Sequence, residues 1–281
     1  MRSSDPPLGV PATSHSPPFL SVITINWNNA TGLTKTLSCL AQQACKNYEQ
    51  IVVDGSSEDG SVGVIADQQF KVDRWVSEPD TGIYNAMNKA IGMATGQYLL
   101  FLNSGDELIS NDALQMAVDC VDGRDFYYFA TEVRPEPGEG APWVKNYPAE
   151  LTFSYFSKDT LPHQSTLIKA DIFKRFGLYD ETLRICADWK HFMICICRHN
   201  CTYRFDPRVL GVFYLDGLSS KVHEQANHLA ERQRVLEAEF PAFLSDTNLM
   251  FAGMHDSDVL DALRRSRTVR LLKKAGLVWD F

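Results

Sequence analysis

The sequence has no apolar run approaching the roughly 18 to 20 residues that cross a bilayer, although 44% of its 281 residues are hydrophobic. That absence argues against a helical membrane span and predicts one large core, or an α/β domain with a helical appendage. Residues 1–18 hold five prolines and no apolar segment, which excludes a secretory signal and predicts a disordered leader on a cytoplasmic protein. Seven cysteines show no repeating spacing, so no disulfide framework is expected. Basic residues are in deficit, with a net charge of −8, and this excludes a general nucleic-acid binder, whose affinity rests on neutralising phosphates. The loop after the first apolar segment reads NWNNATG. That is neither the G-x-G-x-x-G of dinucleotide folds nor the G-G-x-G-T-R of sugar-phosphate nucleotidyltransferases. Neither G-x-x-x-x-G-K-[ST] nor G-x-S-x-G occurs anywhere, so P-loop NTPases and the common α/β hydrolases are set aside.

What is present is an alternation of short apolar runs and amphipathic segments. FLSVITI (Phe19 to Ile25), YEQIVV (Tyr48 to Val53), Val72 to Val76 and YLLFL (Tyr98 to Leu102) read as strands. Helices are predicted over about Thr31 to Gln43, from the Gly55–Gly60 loop to about Phe70, and over Thr81 to Ala94. Such an alternation predicts an α/β fold with a doubly wound, mostly parallel, Rossmann-like sheet flanked by helices. The stretch from Ser77 to Glu107 organises the rest, because its wholly apolar strand stops at Asn103-Ser104-Gly105-Asp106. Open α/β sheets bind ligands beyond the carboxyl ends of their strands, and here those ends carry acids: Asp54, Asp80 and Asp106. Carboxylates converging on one crevice need hydrogen-bond donors or a cation among them. A divalent metal with a diphosphate meets that need; an ordinary capping turn is the alternative reading of residues 103–106.

Three segments, SVITINWNN, IVVDGSSEDGS and SEPDTGIYNAMNKAIGMATGQYLLFLNSGDEL, resemble in order and spacing the consecutive motifs of inverting family 2 glycosyltransferases with the GT-A fold. The likeness is to bacterial enzymes of exopolysaccharide, colanic-acid-type and O-antigen lipopolysaccharide assembly, and it runs from about Phe19 to Ser220. It implies a UDP- or GDP-type sugar donor. On this resemblance Asp54 matches the acid that contacts the nucleotide base, Trp27 an aromatic that flanks it, and Ile25 and Asn103 belong to the same donor-binding set. Asp80, Asn85 and Asn88 fall in the segment that lines the nucleotide and its phosphates. Asp106 matches the last acid of the D-x-D metal signature, which implies Mn²⁺ or Mg²⁺. Many relatives read Asp-Asp where this chain has Asp54-Gly55, and again where it has Gly105-Asp106. One carboxylate with a diphosphate and waters still suits Mg²⁺, so weak metal binding in the absence of donor is expected.

Farther on, FYYFATEV (Phe126 to Val133) reads as a strand, residues 134–142 as a loop, and another strand follows His163-Gln164. Gly177 is the expected stop of the helix in FKRFGLYDE (Phe173 to Glu181), and Asp188 opens an apolar helix reaching about Cys197. On pattern alone Asp188 is a helix cap. In the resembled family an acid at this place, after Gly-x-Tyr/Phe-Asp-Glu and before an aromatic, is the general base, and Asp188 matches it. His163-Gln164 resembles a pair on the acceptor or phosphate side, a buried hydrogen-bonded histidine being the other reading. Asp216-Gly217-Leu218-Ser219-Ser220 resembles a turn that closes the catalytic domain. His191, Cys195, Cys197, His199 and Cys201 fit no zinc spacing and read as core.

Between Asp261 and Asp280 stand six bases and no acid, interleaved with apolar residues and Trp279. Such a helix suits an anionic membrane surface, or docking on its own domain. The expected organisation is therefore a leader over 1–18, a GT-A catalytic domain over 19–221 and a C-terminal helical extension over 222–281. The expected activity is metal-dependent, inverting hexosyl transfer to a saccharide acceptor. That acceptor is expected to be polyprenyl-diphosphate-linked, with peripheral contact to the cytoplasmic face of the inner membrane through residues 263–279. The alternative is a degenerate module that binds nucleotide-sugar, or a partner, without turnover.

Overall fold

The computed structural model describes residues 17–135, 138–215 and 225–244. Most of the expected leader, the Asp216–Ser220 turn and the basic segment 263–279 lie outside the described residues. The chain divides into two compact units, Met1–Gln225 and Ala226–Phe281, and α8 (Gln225–Glu239) starts at the boundary. No helix among the described residues is long and apolar enough to cross a membrane.

Every residue of β1 (Leu20–Asn26) is buried, as are all but the first of β2 (Tyr48–Asp54) and all of β4 (Tyr98–Phe101). Strands apolar on both faces need a covering layer on each side, and the helices between them supply it. α1 (Ala30–Ala41) turns Leu33, Leu37 and Leu40 inward, and α3 (Ile83–Met93) turns Tyr84, Met87 and Ala90 inward. The helix expected to reach Phe70 is split into α2 (Ser61–Ala66) and a 3-10 turn Gln68–Phe70, because the Asp67 side chain caps the Gln69 amide and restarts the turn. β3 (Arg74–Ser77) follows. These four strands pair parallel in the order β3-β2-β1-β4. The chain winds outward from β1 to β3 and then returns to β4, so the switch point, where such sheets open a crevice, lies between β1 and β4.

The second half of the sheet is mixed. β5 (Glu107–Leu108) and α4 (Ala113–Asp119) lead to β6 (Phe126–Arg134), whose partners are β7 (Trp143–Lys145), β8 (Thr166–Lys169) and β9 (Tyr203–Tyr214). β8 runs antiparallel to both β4 and β6, β9 runs parallel to β6, and β5 closes the far edge antiparallel to β9. Three helices pack around this half: α5 (Phe153–Phe156), α6 (Asp171–Phe176) and α7 (Ala187–Met193), the last continuing as a π turn Ile194–Arg198.

The parallel register sets Ser21 beside Glu49 at one end of the sheet, and Asn26, Asp54 and Ser77 side by side at the other. A buried carboxylate pins each end. Glu49 accepts from Ser21 Oγ (2.6 Å), the Thr95 amide (2.6 Å) and Thr95 Oγ1 (2.8 Å). Burial raises its pKa, but these donors and Arg74 outweigh that effect and hold it below the ordinary 4.5. Such a group stabilises the fold fully above that ordinary value and loses its contribution as pH falls through the lower folded value. Urea titrations from about pH 6 to 3 should show stability falling with acid, and Glu49→Gln should flatten the fall and cost about 1–3 kcal/mol near neutrality. An unchanged pH slope in the variant would contradict this account.

Candidate active site

The carboxyl ends of β1, β2 and β3 are joined by one knot. Asp54, fully buried, accepts Asn26 Nδ2 (2.8 Å) and Ser57 Oγ (2.6 Å) on Oδ1, and the Ser57 amide (2.9 Å) and Ser77 Oγ (2.7 Å) on Oδ2. Burial raises its pKa, yet the donors together hold it below the ordinary 3.8. A carboxylate has about four acceptor positions, and this one fills them from its own chain. These bonds tie Asp54, expected at the nucleotide base, into the loop that follows β2. Ser57 Oγ also accepts the Asn28 amide (2.7 Å), and Asp59 accepts the Ala30 amide (2.7 Å), so the loops after β1 and β2 are stitched together.

One wall stands on this knot. Trp27 is 70% exposed. A Cβ at Gly55 would lie 2.6 Å from Asp80 Oδ2 and 3.2 Å from Trp27 Cδ1. Trp27, Gly55 and Asp80 thus meet at one place, and a side chain at position 55 would require the Asp80 carboxylate to move. Ile25 is buried in the core and contributes its carbonyl, which accepts the Ser104 amide (3.1 Å).

The turn after β4 is held from α1. The Thr36 hydroxyl lies between the carbonyls of Asn103 (3.1 Å) and Asp106 (2.8 Å) and accepts the Gly105 amide (2.9 Å). Gly105 has φ +106°, a conformation that favours glycine. Asp106 Oδ2 accepts the Asn103 amide (2.9 Å), while Asn103 Oδ1 is buried without a hydrogen-bond partner. The neighbouring Glu107 is engaged by Lys35 (2.9 Å) and by the Tyr214 hydroxyl, with Lys35 3.5 Å above the Tyr214 ring. Among the described residues no three His, Cys, Asp or Glu side chains converge as ligands of an ion. One carboxylate beside an orphaned amide oxygen fits an ion that brings most of its ligands with it, as one bound to a diphosphate does.

The base candidate is assembled by α3. Asp188 lies in the first turn of α7, half-buried, and its Oδ1 meets the Tyr84 hydroxyl at 2.7 Å. The chain before it is clamped. Asn88, buried, donates to the Tyr179 carbonyl (2.9 Å) and Glu181 Oε1 (2.8 Å) and accepts the Tyr179 amide (3.0 Å), while Asn85 donates to Glu181 Oε2 (2.8 Å). The amides of both asparagines, expected along the phosphates, grip the turn at 179–181, and Asn88 has both ends of its amide in use. Asp180 takes Lys190 of α7 (2.8 Å). His163 stacks on Phe101 at 4.5 Å, and its Nε2 meets the Tyr179 hydroxyl at 2.9 Å. Burial lowers the His163 pKa against the opposing pull of Asp188, so the ring is neutral near pH 7. Gln164 packs its carbonyl against Gly211. His191 is buried against Phe173, and burial brings its pKa down to about 4.

Tyr84, Tyr179 and Glu181 are the residues that sequence reasoning missed. All stood within the motif strings, but Tyr84 and Asp188 are 104 residues apart and Asn88 and Glu181 are 93 apart. Local pattern carries no sign of such pairs. Lys35 and Tyr214 were missed for the same reason, being paired only through the fold.

The family model for glycosyl transferase family 2 matches residues 21–200, and the chain belongs to that family. It is similar to an uncharacterized glycosyltransferase of Mycobacterium tuberculosis, 33% identical over 175 residues, which are 62% of this chain and 67% of that protein. Among solved structures it is similar to S. aureus TarS 1–349 in complex with UDP-GlcNAc, with TM-score 0.57 and 19% identity over 69% of this chain and 58% of that one. It is also similar to a mannosyltransferase from Pyrobaculum calidifontis in complex with GDP-Man and Mn²⁺, with TM-score 0.56 and 15% identity over 92% of this chain and 84% of that one. At such identities the two structures establish the shared fold, which is GT-A-like.

Asn88→Ala should cost about 2–3 kcal/mol, since it strands buried partners at Tyr179 and Glu181. It should also lower turnover at saturating donor more than it weakens donor binding, because the freed segment leads to Asp188. Urea melts with steady-state kinetics check both; equal loss of binding and turnover would oppose this placement.

Proposed function

We propose that this family 2 glycosyltransferase moves a sugar from a UDP- or GDP-type donor onto a saccharide acceptor in cell-surface polysaccharide assembly, with inversion at the anomeric carbon. The observation that carries the proposal is the gathering of the Trp27, Gly55 and Asp80 wall and the Asp106 turn at the carboxyl ends of one parallel sheet, with α3 linking that sheet to Asp188. The exposed Trp27 offers a face for the base, and Asp54 sets the loop on which it stands. Asp106, with the Asn103 amide beside it, would hold Mn²⁺ or Mg²⁺ together with the donor's diphosphate. Such an ion neutralises charge growing on the leaving group.

In the proposed reaction an acceptor oxygen attacks the anomeric carbon in line with the departing diphosphate. The new carbon–oxygen bond forms as the bond to phosphate oxygen breaks, and that electron pair leaves with the nucleotide. Asp188 takes the acceptor's hydroxyl proton, general-base work of the kind that contributes about 10²–10⁴-fold. His163 and Gln164 are assigned to the acceptor or phosphate side. The acceptor is proposed to be lipid-linked, on a polyprenyl diphosphate, with the basic segment 263–279 resting on the cytoplasmic face of the inner membrane.

Binding and turnover across UDP-, GDP-, dTDP- and CMP-sugars, with Mn²⁺, Mg²⁺ or EDTA, test the reading. One donor should bind only with metal, Asp106→Ala should abolish that binding, and Asp188→Asn should keep it while losing turnover by about 10²–10⁴-fold. If no nucleotide-sugar binds with any metal, the enzyme reading fails in favour of a module without turnover.

A further inference from the structure

The Tyr84 hydroxyl lies 2.7 Å from Asp188 Oδ1 and 2.6 Å from the carbonyl oxygen of Ile185, and the Asp188 backbone amide bears on the same phenol oxygen. A phenol has one proton to donate, and a carbonyl and an ionised carboxylate can only accept. Two acceptors therefore divide one donor. The contrast with Asp54 is direct: there four donor contacts saturate a carboxylate and lock it in its charged form, whereas here Oδ1 of Asp188 is met by a donor that the backbone also claims.

The setting keeps Tyr84 in that role. Its side chain is buried, and burial together with the nearby charge of Asp188 keeps the phenol well above its ordinary value, so it remains protonated. The titratable groups around the pair are His163 on the 3-10 turn before β8, Tyr179 on the turn gripped by α3, and Cys186 just before α7. Burial keeps His163 and Tyr179 neutral near pH 7. The phenol also ties the Asp188 side chain to the backbone three residues earlier, which restricts its rotation.

Resting on the reading of Asp188 as the base, we propose that Tyr84 is its positioning residue. It fixes Oδ1, leaves Oδ2 to meet the acceptor hydroxyl, and shares its proton with Ile185 so that Asp188 remains able to accept one. The proton leaving the acceptor goes to Asp188; Tyr84 neither gains nor loses charge.

Tyr84→Phe should lower kcat about ten-fold, leave the donor KM within about two-fold, and move the acidic limb of the kcat–pH profile to higher pH, since the ionised carboxylate has lost a donor. Replacing Tyr84 with 3-fluorotyrosine, a stronger donor of nearly the same shape, should move that limb to lower pH, and it carries the test if the Phe variant does not fold. Opposite shifts from the two replacements are a signature that a merely structural tyrosine would not produce. Shifts in the same direction, or an unmoved limb with wild-type kcat, overturn the inference. Asp188→Asn separates the two claims: if it retains turnover, the base reading itself fails, and if it is inactive while Tyr84→Phe behaves as wild type, only the role of Tyr84 fails.

Discussion

The rest of the site depends on the buried carboxylate of Asp54. Removing a charge from water is costly unless donors replace the water, and Asn26, Ser57 and Ser77 do so from three neighbouring segments. Because Asn26, Asp54 and Ser77 are register partners on adjacent strands, satisfying that one charge fixes the level at which three strands end. The loops that leave from there inherit their directions. Trp27 follows Asn26 directly, Gly55 follows Asp54, and Asp80 lies three residues beyond Ser77, and these three meet at one wall.

α3 couples that wall to the second half of the chain. Its inner face, with Tyr84, Met87 and Ala90, is buried, so its position is set by the parallel sheet. Its polar residues then reach across to the later segment: Asn85 and Asn88 to Glu181 and Tyr179, and Tyr84 to Asp188. The placement of a carboxylate late in the chain is thereby referred to a helix formed early in it. Asp54 and Asp188 show how differently one residue type can be satisfied. The first is saturated by donors, while the second is half-buried and shares a single phenol donor with the backbone.

Glycine shapes both loops. At Gly55 a side chain would require Asp80 to move, and at Gly105 the backbone conformation favours glycine. Each loop is shaped around the single acid beside it.

By itself the sequence determined the parallel half of the fold. Uninterrupted apolar strands alternating with one-sided helices have few other ways to bury their surface, and turn residues at the strand ends marked where a crevice would open. It also placed Asp54, Asp80 and Asp106 at strand ends, a local property, whereas Trp27 and Asp188 were marked by the resemblance to family 2 glycosyltransferases. What only the tertiary structure decided was which polar atoms each of them meets. The saturation of Asp54, the turning of Asn85 and Asn88 toward Glu181, the mixed pairing of β8 and the bond from Tyr84 to Asp188 all join residues far apart in the chain. Hydrogen bonds are directional and short, so a donor's partner is fixed by packing in three dimensions, and the periodicity of a chain does not encode it.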